Sequence, residues 1–197
     1  MMRRDLALIA RWVTPGSRVL DLGCGDGRLL TTLETSRHCR IQGVEIDPTS
    51  LLAAAGRGVP VLQLDIDRDL VLLADQTFDV VVLSRTLQAV RRPALVLREM
   101  LRLAPRAIVS MPNFAYWRNR LRLAAGRAPV SKDLPYQWHD SPNVHFGSLR
   151  DLEALFADLG LTVVRCLPLA ATGRVSHAPR RCRNWEAGAA LYELRLG

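Results

Sequence analysis

The stretch Val19 to Arg28, VLDLGCGDGR, holds the densest chemical signal in the chain. An apolar run ends at the carboxylate of Asp21, and Gly23, Gly25 and Gly27 alternate behind it. Lacking Cβ atoms, such a turn reaches backbone angles closed to other residues and lets a ligand lie against the main chain. Spacing restricts the ligand. A dinucleotide fingerprint, G-x-G-x-x-G, needs its third glycine where Arg28 stands, and the phosphate loop of nucleotide hydrolases needs a Gly-Lys-Ser/Thr ending that is absent here. A carboxylate just ahead of the turn repels pyrophosphate and attracts an ammonium group. The expected chemistry is therefore the holding of a cationic ligand, with Cys24 packing its small side chain inside the turn.

Something must bring that turn to a strand tip. Apolar runs at RVLDL (Arg18 to Leu22), IQGVEID (Ile41 to Asp47), VPVLQLDI (Val59 to Ile66), FDVVVLS (Phe78 to Ser84) and RAIVSM (Arg106 to Met111) read as five strands. Helical spacing separates them in GRLLTTLETS, in SLLAAAGRG closed by Gly56 and Gly58, and in Pro93 to Ala104; another helix, over Leu6 to Val13, opens the chain. Strands that are apolar on both faces and alternate with helices predict an α/β fold, a mostly parallel sheet covered on both sides. In such a sheet ligands settle beyond the carboxyl ends of the strands, where the strand order reverses. The acids Glu45 and Asp65 fall at the ends of the second and third runs, and Asp79 leads the fourth.

After Met111 the rhythm breaks into an excursion over about residues 112–147, rich in Pro, Asn, Trp and Tyr, with one helix expected from Trp117 to Ala125. Long excursions in compact domains often carry function. A helix from Ser148 to Gly160 then follows, with Ser148 and Asp151 placed as a capping box, and strands LTVVRCLPL and AALYELRL close the chain.

At 197 residues the chain has room for one domain, taken as 1–197. Its 49% hydrophobic and 23% charged residues fit a soluble globular protein, no apolar run approaches the roughly 20 residues of a membrane span, and the first residues make no convincing export signal, so the expected location is cytoplasmic. Four cysteines without a C-x-x-C pair and four scattered histidines predict free thiols and no metal site. The net charge of +8 would suit nucleic acid, but of 27 basic residues only Lys132 is lysine and the arginines are mostly dispersed, which favours a solvated basic surface.

The run Asp21-x-Gly23-x-Gly25-x-Gly27 resembles the first motif of class I S-adenosylmethionine-dependent methyltransferases, a Rossmann-like fold with a seven-stranded, mostly parallel sheet. That resemblance implies S-adenosylmethionine, or S-adenosylhomocysteine, as cofactor. It places the glycine turn with Asp21 and Cys24 around the cofactor, Glu45 on the two ribose hydroxyls with Ile46 beside it, Asp65 at the adenine amino group with Ile66 against the ring, and Ser84 at the methionine end. A narrower resemblance spans nearly the whole chain. LDLGCGDG, GVEIDP, LSRTLQAVRRPALVLREMLR, AIVSMPNFAYWRNRL, LPYQWHDSPNVHF and LRDLEALFADLG look like the MetW family of methionine biosynthesis. It implies a role beside homoserine O-acyltransferase, as partner and activator.

Whether the chain transfers a methyl group is left open by its residues. Transfer from a sulfonium needs an aligned nucleophile and, where required, a base. The Asn/Asp-Pro-Pro-Tyr/Phe marker of amino methyltransferases is replaced by Ser84-Arg85-Thr86 after the fourth strand. Tyr116, His139, Asp140 and His145 are the candidate bases, all in the excursion, whose Trp and Arg residues equally suit a docking surface or lid. The two readings are an activating module that binds the cofactor and a small-molecule methyltransferase with an unidentified acceptor.

Overall fold

The structure, a computed structural model, describes residues 3–131 and 133–197, apart from the side chain of Arg180. The chain runs α1 (Arg4–Trp12), β1 (Arg18–Leu22), α2 (Arg28–Arg37), β2 (Arg40–Glu45), α3 (Pro48–Ala55), β3 (Val61–Gln63), a 3-10 turn (Asp69–Leu72), β4 (Val80–Ser84), α4 (Pro93–Leu103), β5 (Ala107–Pro112), α5 (Trp117–Ala124), α6 (Leu149–Asp158), β6 (Leu161–Leu169), a 3-10 turn (Arg180–Cys182), α7 (Arg183–Glu186) and β7 (Ala189–Leu196). The strands form one seven-stranded sheet in the order β3-β2-β1-β4-β5-β7-β6. The first five are parallel; β7 slots antiparallel between β5 and β6.

Alternation along the central strands sends side chains to both faces. Leu20, Leu22, Val81, Leu83 and Val109 pack against α4 (Leu97, Met100, Leu101) and α6 (Leu152, Phe156), while Val19, Val80, Val82 and Ile108 pack against α1 (Ile9, Ala10) and α2 (Leu29, Leu30, Leu33). Burying each such side chain contributes about 1.5–3 kcal/mol, and two covered faces explain why these strands are apolar without interruption. Asp21 shares the α1 and α2 face with Val19, so a carboxylate stands inside that layer.

Four strands differ from the sequence expectation: β5 is displaced by one residue, to Ala107–Pro112, and the other three differ for local reasons. β2 stops at Glu45 rather than Asp47 because the Asp47 side chain caps α3, accepting the Ser50 N–H at 2.8 Å. β3 is only three residues long: it is an edge strand whose one neighbour ends at Glu45, opposite Gln63, so the chain beyond has no ladder to join. Instead Asp65 and Asp69 turn it, the Asp69 carboxylate accepting the Asp65 N–H at 2.8 Å. β4 begins at Val80, and Asp79 before it accepts the Arg18 N–H at 2.7 Å and pairs with that guanidinium at 2.8 Å. Asp79 therefore braces the amino end of the sheet, opposite the tip that carries the glycine turn. α6 has its capping box, with Ser148 and Asp151 each accepting the other's backbone N–H.

Candidate functional site

Strand order reverses between β1 and β4, and the crevice beyond their carboxyl ends is where the glycine turn lies. Gly23 has φ +68° and its absent Cβ would stand 2.8 Å from the Thr86 hydroxyl, so the turn and the loop after β4 meet across bare backbone. Gly27, at φ +75°, starts α2 against Val59 and Ala54, where a Cβ would approach to 2.9 and 3.2 Å.

Two lobes of one cleft meet at Gly23. The larger, about 700 Å³, is walled by Val44, Glu45, Ile46, Leu64, Asp65 and Ile66 on one side and by Thr86 and the Ala89 to Arg92 loop on the other. The smaller, about 360 Å³, is walled by Arg3, Asp21, Cys24, Gly25, Asp26 and Ser84. Nine of the sequence-assigned residues thus border the cleft: Gly23, Glu45, Ile46, Asp65 and Ile66 the larger lobe, and Asp21, Gly23, Cys24, Gly25 and Ser84 the smaller. Gly27 borders neither; it supports the turn from behind.

In the larger lobe, Glu45 is pinned by three main-chain donors. The Gly25 N–H donates to one carboxylate oxygen at 2.8 Å, and those of Ile46 and Asp47 to the other at 2.8 and 3.0 Å. A carboxylate offers about four lone-pair sites, so acceptor capacity remains toward the lobe. Asp65 accepts the Asp67 N–H at 2.9 Å, and Asp67 in turn accepts the N–H groups of Arg91 and Arg92 at 2.9 Å each, tying the two walls together.

The smaller lobe is electrostatically unusual. Asp21 is buried, and among the described residues its Oδ1 has no hydrogen-bond partner. Burial pushes its carboxyl up to about 7, with Arg3 opposing the shift and the charge of Glu45 adding to it. Burial, together with Asp21 and Glu45, pushes the Cys24 thiol up to about 12, so it stays neutral and packs instead against the bare Cα of Gly43. Arg3 donates to the Ser84 hydroxyl at 2.9 Å and pairs with Asp5 at 3.3 Å. Asp5, itself buried, also pairs with Arg85 at 2.9 Å, and Arg85 reaches Asp133 of the excursion at 2.8 Å. A continuous chain of charges, Arg3, Asp5, Arg85 and Asp133, links the small lobe to the excursion. Arg85 holds φ +57°, a backbone state uncommon outside glycine, at the tip of β4.

The four candidate bases lie outside both lobes. Tyr116 is buried beside Trp117, His139 lies edge-on to Trp138 in solvent, Asp140 is exposed, and the exposed His145 is held by its backbone N–H to the Gln88 carbonyl at 3.0 Å. Sequence reading missed Arg3, Asp67, Arg91 and Arg92. Arg3 sits ahead of α1 with no periodic signal; the Arg91-Arg92 pair before the helix-starting Pro93 was the one available hint for the far wall. Among the described residues no cluster of His, Cys, Asp and Glu could hold a metal ion, and no helix is long and apolar enough to cross a membrane.

Residues 3–194 match the family described as methionine biosynthesis protein MetW. The chain belongs to the MetW family. A relative from Rhodopirellula baltica, the bifunctional methionine biosynthesis protein MetXA/MetW, is 38% identical over 170 residues, 81% of this chain; the chain spans only 27% of that relative's length. Among solved structures, a SAM-dependent methyltransferase from Archaeoglobus fulgidus superposes with a TM-score of 0.69 at 16% identity, over 98% of this chain and 94% of that one. Magnesium protoporphyrin IX methyltransferase from Synechocystis, with bound SAH, gives 0.68 at 18% identity, over 98% and 83%. This MetW-family chain therefore has the class I methyltransferase fold.

Proposed function

We propose that this MetW-family protein binds S-adenosylmethionine or S-adenosylhomocysteine in the two-lobed cleft and acts in the cytoplasm as partner and activator of homoserine O-acyltransferase. The observation that carries the binding half is the buried, partnerless Oδ1 of Asp21, which shares the small lobe with the half-exposed guanidinium of Arg3. An unpaired buried acceptor costs about 1–3 kcal/mol, which an ammonium donor would offset. A neighbouring cation suits a carboxylate. An α-amino acid end supplies both charges, and the larger lobe beyond Gly23 has the acids and apolar walls for a nucleoside: Glu45 for ribose hydroxyls, Asp65 for an adenine amino group, and Ile46 and Ile66 for the ring. The bound cofactor would bring an electrophilic methyl group; the chain's own residues hold its two ends and its sugar.

The partnering half is supported by the Rhodopirellula relative, whose name joins MetXA and MetW in one chain. An activator role is favoured over methyl transfer because the four side chains singled out as bases stand away from both lobes. Such a subunit can report the level of a downstream metabolite to an early enzyme, by binding it differently in the free and docked states.

Calorimetric titration with both nucleosides tests the site. Glu45→Gln keeps the side chain's size and removes its charge, and because both carboxylate oxygens accept main-chain N–H groups it also sets an amide NH2 against one of them, so a melting curve accompanies the titration. The expected loss is about 1.5–3 kcal/mol, one charge-assisted contact. Unchanged affinity would place the ribose elsewhere. Mixing the purified protein with its cognate acyltransferase tests the partnership, through complex formation and a change in acyl transfer rate.

A further inference from the structure

Between Pro112 and Leu149 the chain leaves the sheet and builds a surface in which two chemistries lie side by side. Phe114, Leu123, Leu134, Tyr136, Trp138 and Phe146 line an apolar groove of about 290 Å³. Phe114 and Phe146 pack with ring centroids 5.0 Å apart, yet Trp138 is 80% exposed and Tyr136, Leu123 and Phe146 are open to solvent as well. An apolar patch of this kind on a folded protein marks an interaction site. The groove is anchored to the body of the fold. The Phe114 N–H bonds the Gly147 carbonyl at 3.2 Å, the Val144 and His145 N–H groups share the Gln88 carbonyl at 2.9 and 3.0 Å, and Asp133 pairs with Arg85.

Beside the groove runs a band of positive charge. No Asp or Glu occurs between Glu99 and Asp133, while Arg118, Arg120, Arg122 and Arg127 all do. All four are exposed, and among the described residues none of them pairs with a carboxylate. Arg118 and Arg120 instead lie over the rings of Trp117 and Trp185, 5.2 Å from each centroid, and Arg122 donates to the Val130 carbonyl. Arg122 and Arg127 bracket Leu123 in sequence, and Arg127 directly precedes Ala128, both of which line the groove. Arginine and aromatic side chains are the residue types that dominate interface energetics, and unneutralised guanidiniums around an apolar socket select a partner with carboxylates around an apolar knob.

Building on the proposed partnership, we infer that this groove and its arginine band are the docking surface for homoserine O-acyltransferase, through an acidic face of that enzyme that inserts an aliphatic or aromatic side chain between Trp138, Tyr136 and Phe146. Single-stranded RNA is the competing occupant, since bases also stack beside cations. A protein is favoured by the concave shape of the groove, whose Phe114 and Phe146 rings are tilted at 50° rather than presented as parallel stacking faces. It is favoured too by the relative in which MetXA and MetW share one chain.

The test measures the dissociation constant of the complex with the cognate acyltransferase for the native protein, for Trp138→Ala, and for Arg118→Glu combined with Arg127→Glu. S-adenosylhomocysteine titration of each serves as the folding control. Each variant is expected to weaken the complex about tenfold or more, and the native complex to weaken steeply between about 50 and 300 mM salt. A native complex that both variants leave unchanged would overturn the surface assignment while leaving the partnership intact. No native complex at micromolar concentrations would overturn the partnership itself. Tighter retention of a single-stranded RNA of about 30 nucleotides than of the enzyme, lost in both variants, would reassign the surface to nucleic acid.

Discussion

Asp21 is a carboxylate whose burial disfavours its charged form, and this has measurable consequences in two directions. Because its folded pKa stands near 7, above the usual carboxylate value, the folded chain keeps the proton longer than the unfolded one. The associated stability is fully present below about pH 4 and is lost as pH rises through 7. Asp21→Asn, which cannot ionise, should therefore gain thermal stability over the native protein at pH 8 and gain little at pH 4, as melting curves at both would show. Ligand binding runs the other way. An ammonium group favours the ionised carboxylate, so affinity for S-adenosylmethionine should rise by up to about tenfold per pH unit below 7 and flatten above it. The Asn variant should lose that slope; a native profile flat over the roughly 1.5 pH units below 7 would mean that the ammonium lies elsewhere. The placement of Asp21 and Glu45 beside the cleft could be read from the chain because each stands near the end of an apolar run. Arg3 could not, because its place over the lobe is set by how α1 packs, and no local pattern records that.

The strand-turn-helix unit formed by β1, the glycine turn and α2 is where local sequence and packing agree most closely. Gly27 is needed for two separate reasons, its left-handed φ and the contact of its Cα with α3 and Val59. Gly27→Ala is expected to cost about 1–3 kcal/mol, lowering the melting temperature by several degrees, since neither the Ala54 backbone nor the stiff Val59 side chain gives way easily. A variant that melts with the native protein would show that the turn relaxes. Element type was readable throughout the parallel half of the sheet because burial on both faces writes itself into composition. Element length was not. The shortness of β3 follows from where its neighbour stops, the first 3-10 turn is held by the Asp69 carboxylate on the Asp65 N–H, and the short α7 is tied to α6 by the Asn184 Oδ1, which accepts the Leu149 N–H at 3.0 Å; none of these has a periodic signature.

For the molecule as a whole, the chain of charges from Arg3 through Asp5 and Arg85 to Asp133 supplies a physical route between the small lobe and the aromatic groove. If occupancy of the lobe changes how Arg3 divides itself between Ser84, Asp5 and a ligand carboxylate, the groove's support at Asp133 changes with it. Linkage then requires reciprocity: the factor by which S-adenosylmethionine alters affinity for the acyltransferase must equal the factor by which the acyltransferase alters affinity for S-adenosylmethionine, typically about 5–150-fold. Paired titrations measure both, and Arg85→Ala should shrink the common factor toward one. Equal affinities with and without the nucleoside would leave the two sites independent. The glycine turn, the strand-tip acids and the fold class could be recognised from residues alone, whereas this route joins positions as far apart as Arg3 and Asp133 and exists only once the sheet has formed.

The position of β7 has a bearing on how the chain assembles. Among the described residues β6 hydrogen-bonds to no strand except β7, which itself wedges between β6 and β5. Leu161–Leu169 therefore has no strand neighbour in the sheet until residues 189–196 are in place. A chain cut after Glu186 would forfeit two strands of the sheet, not one.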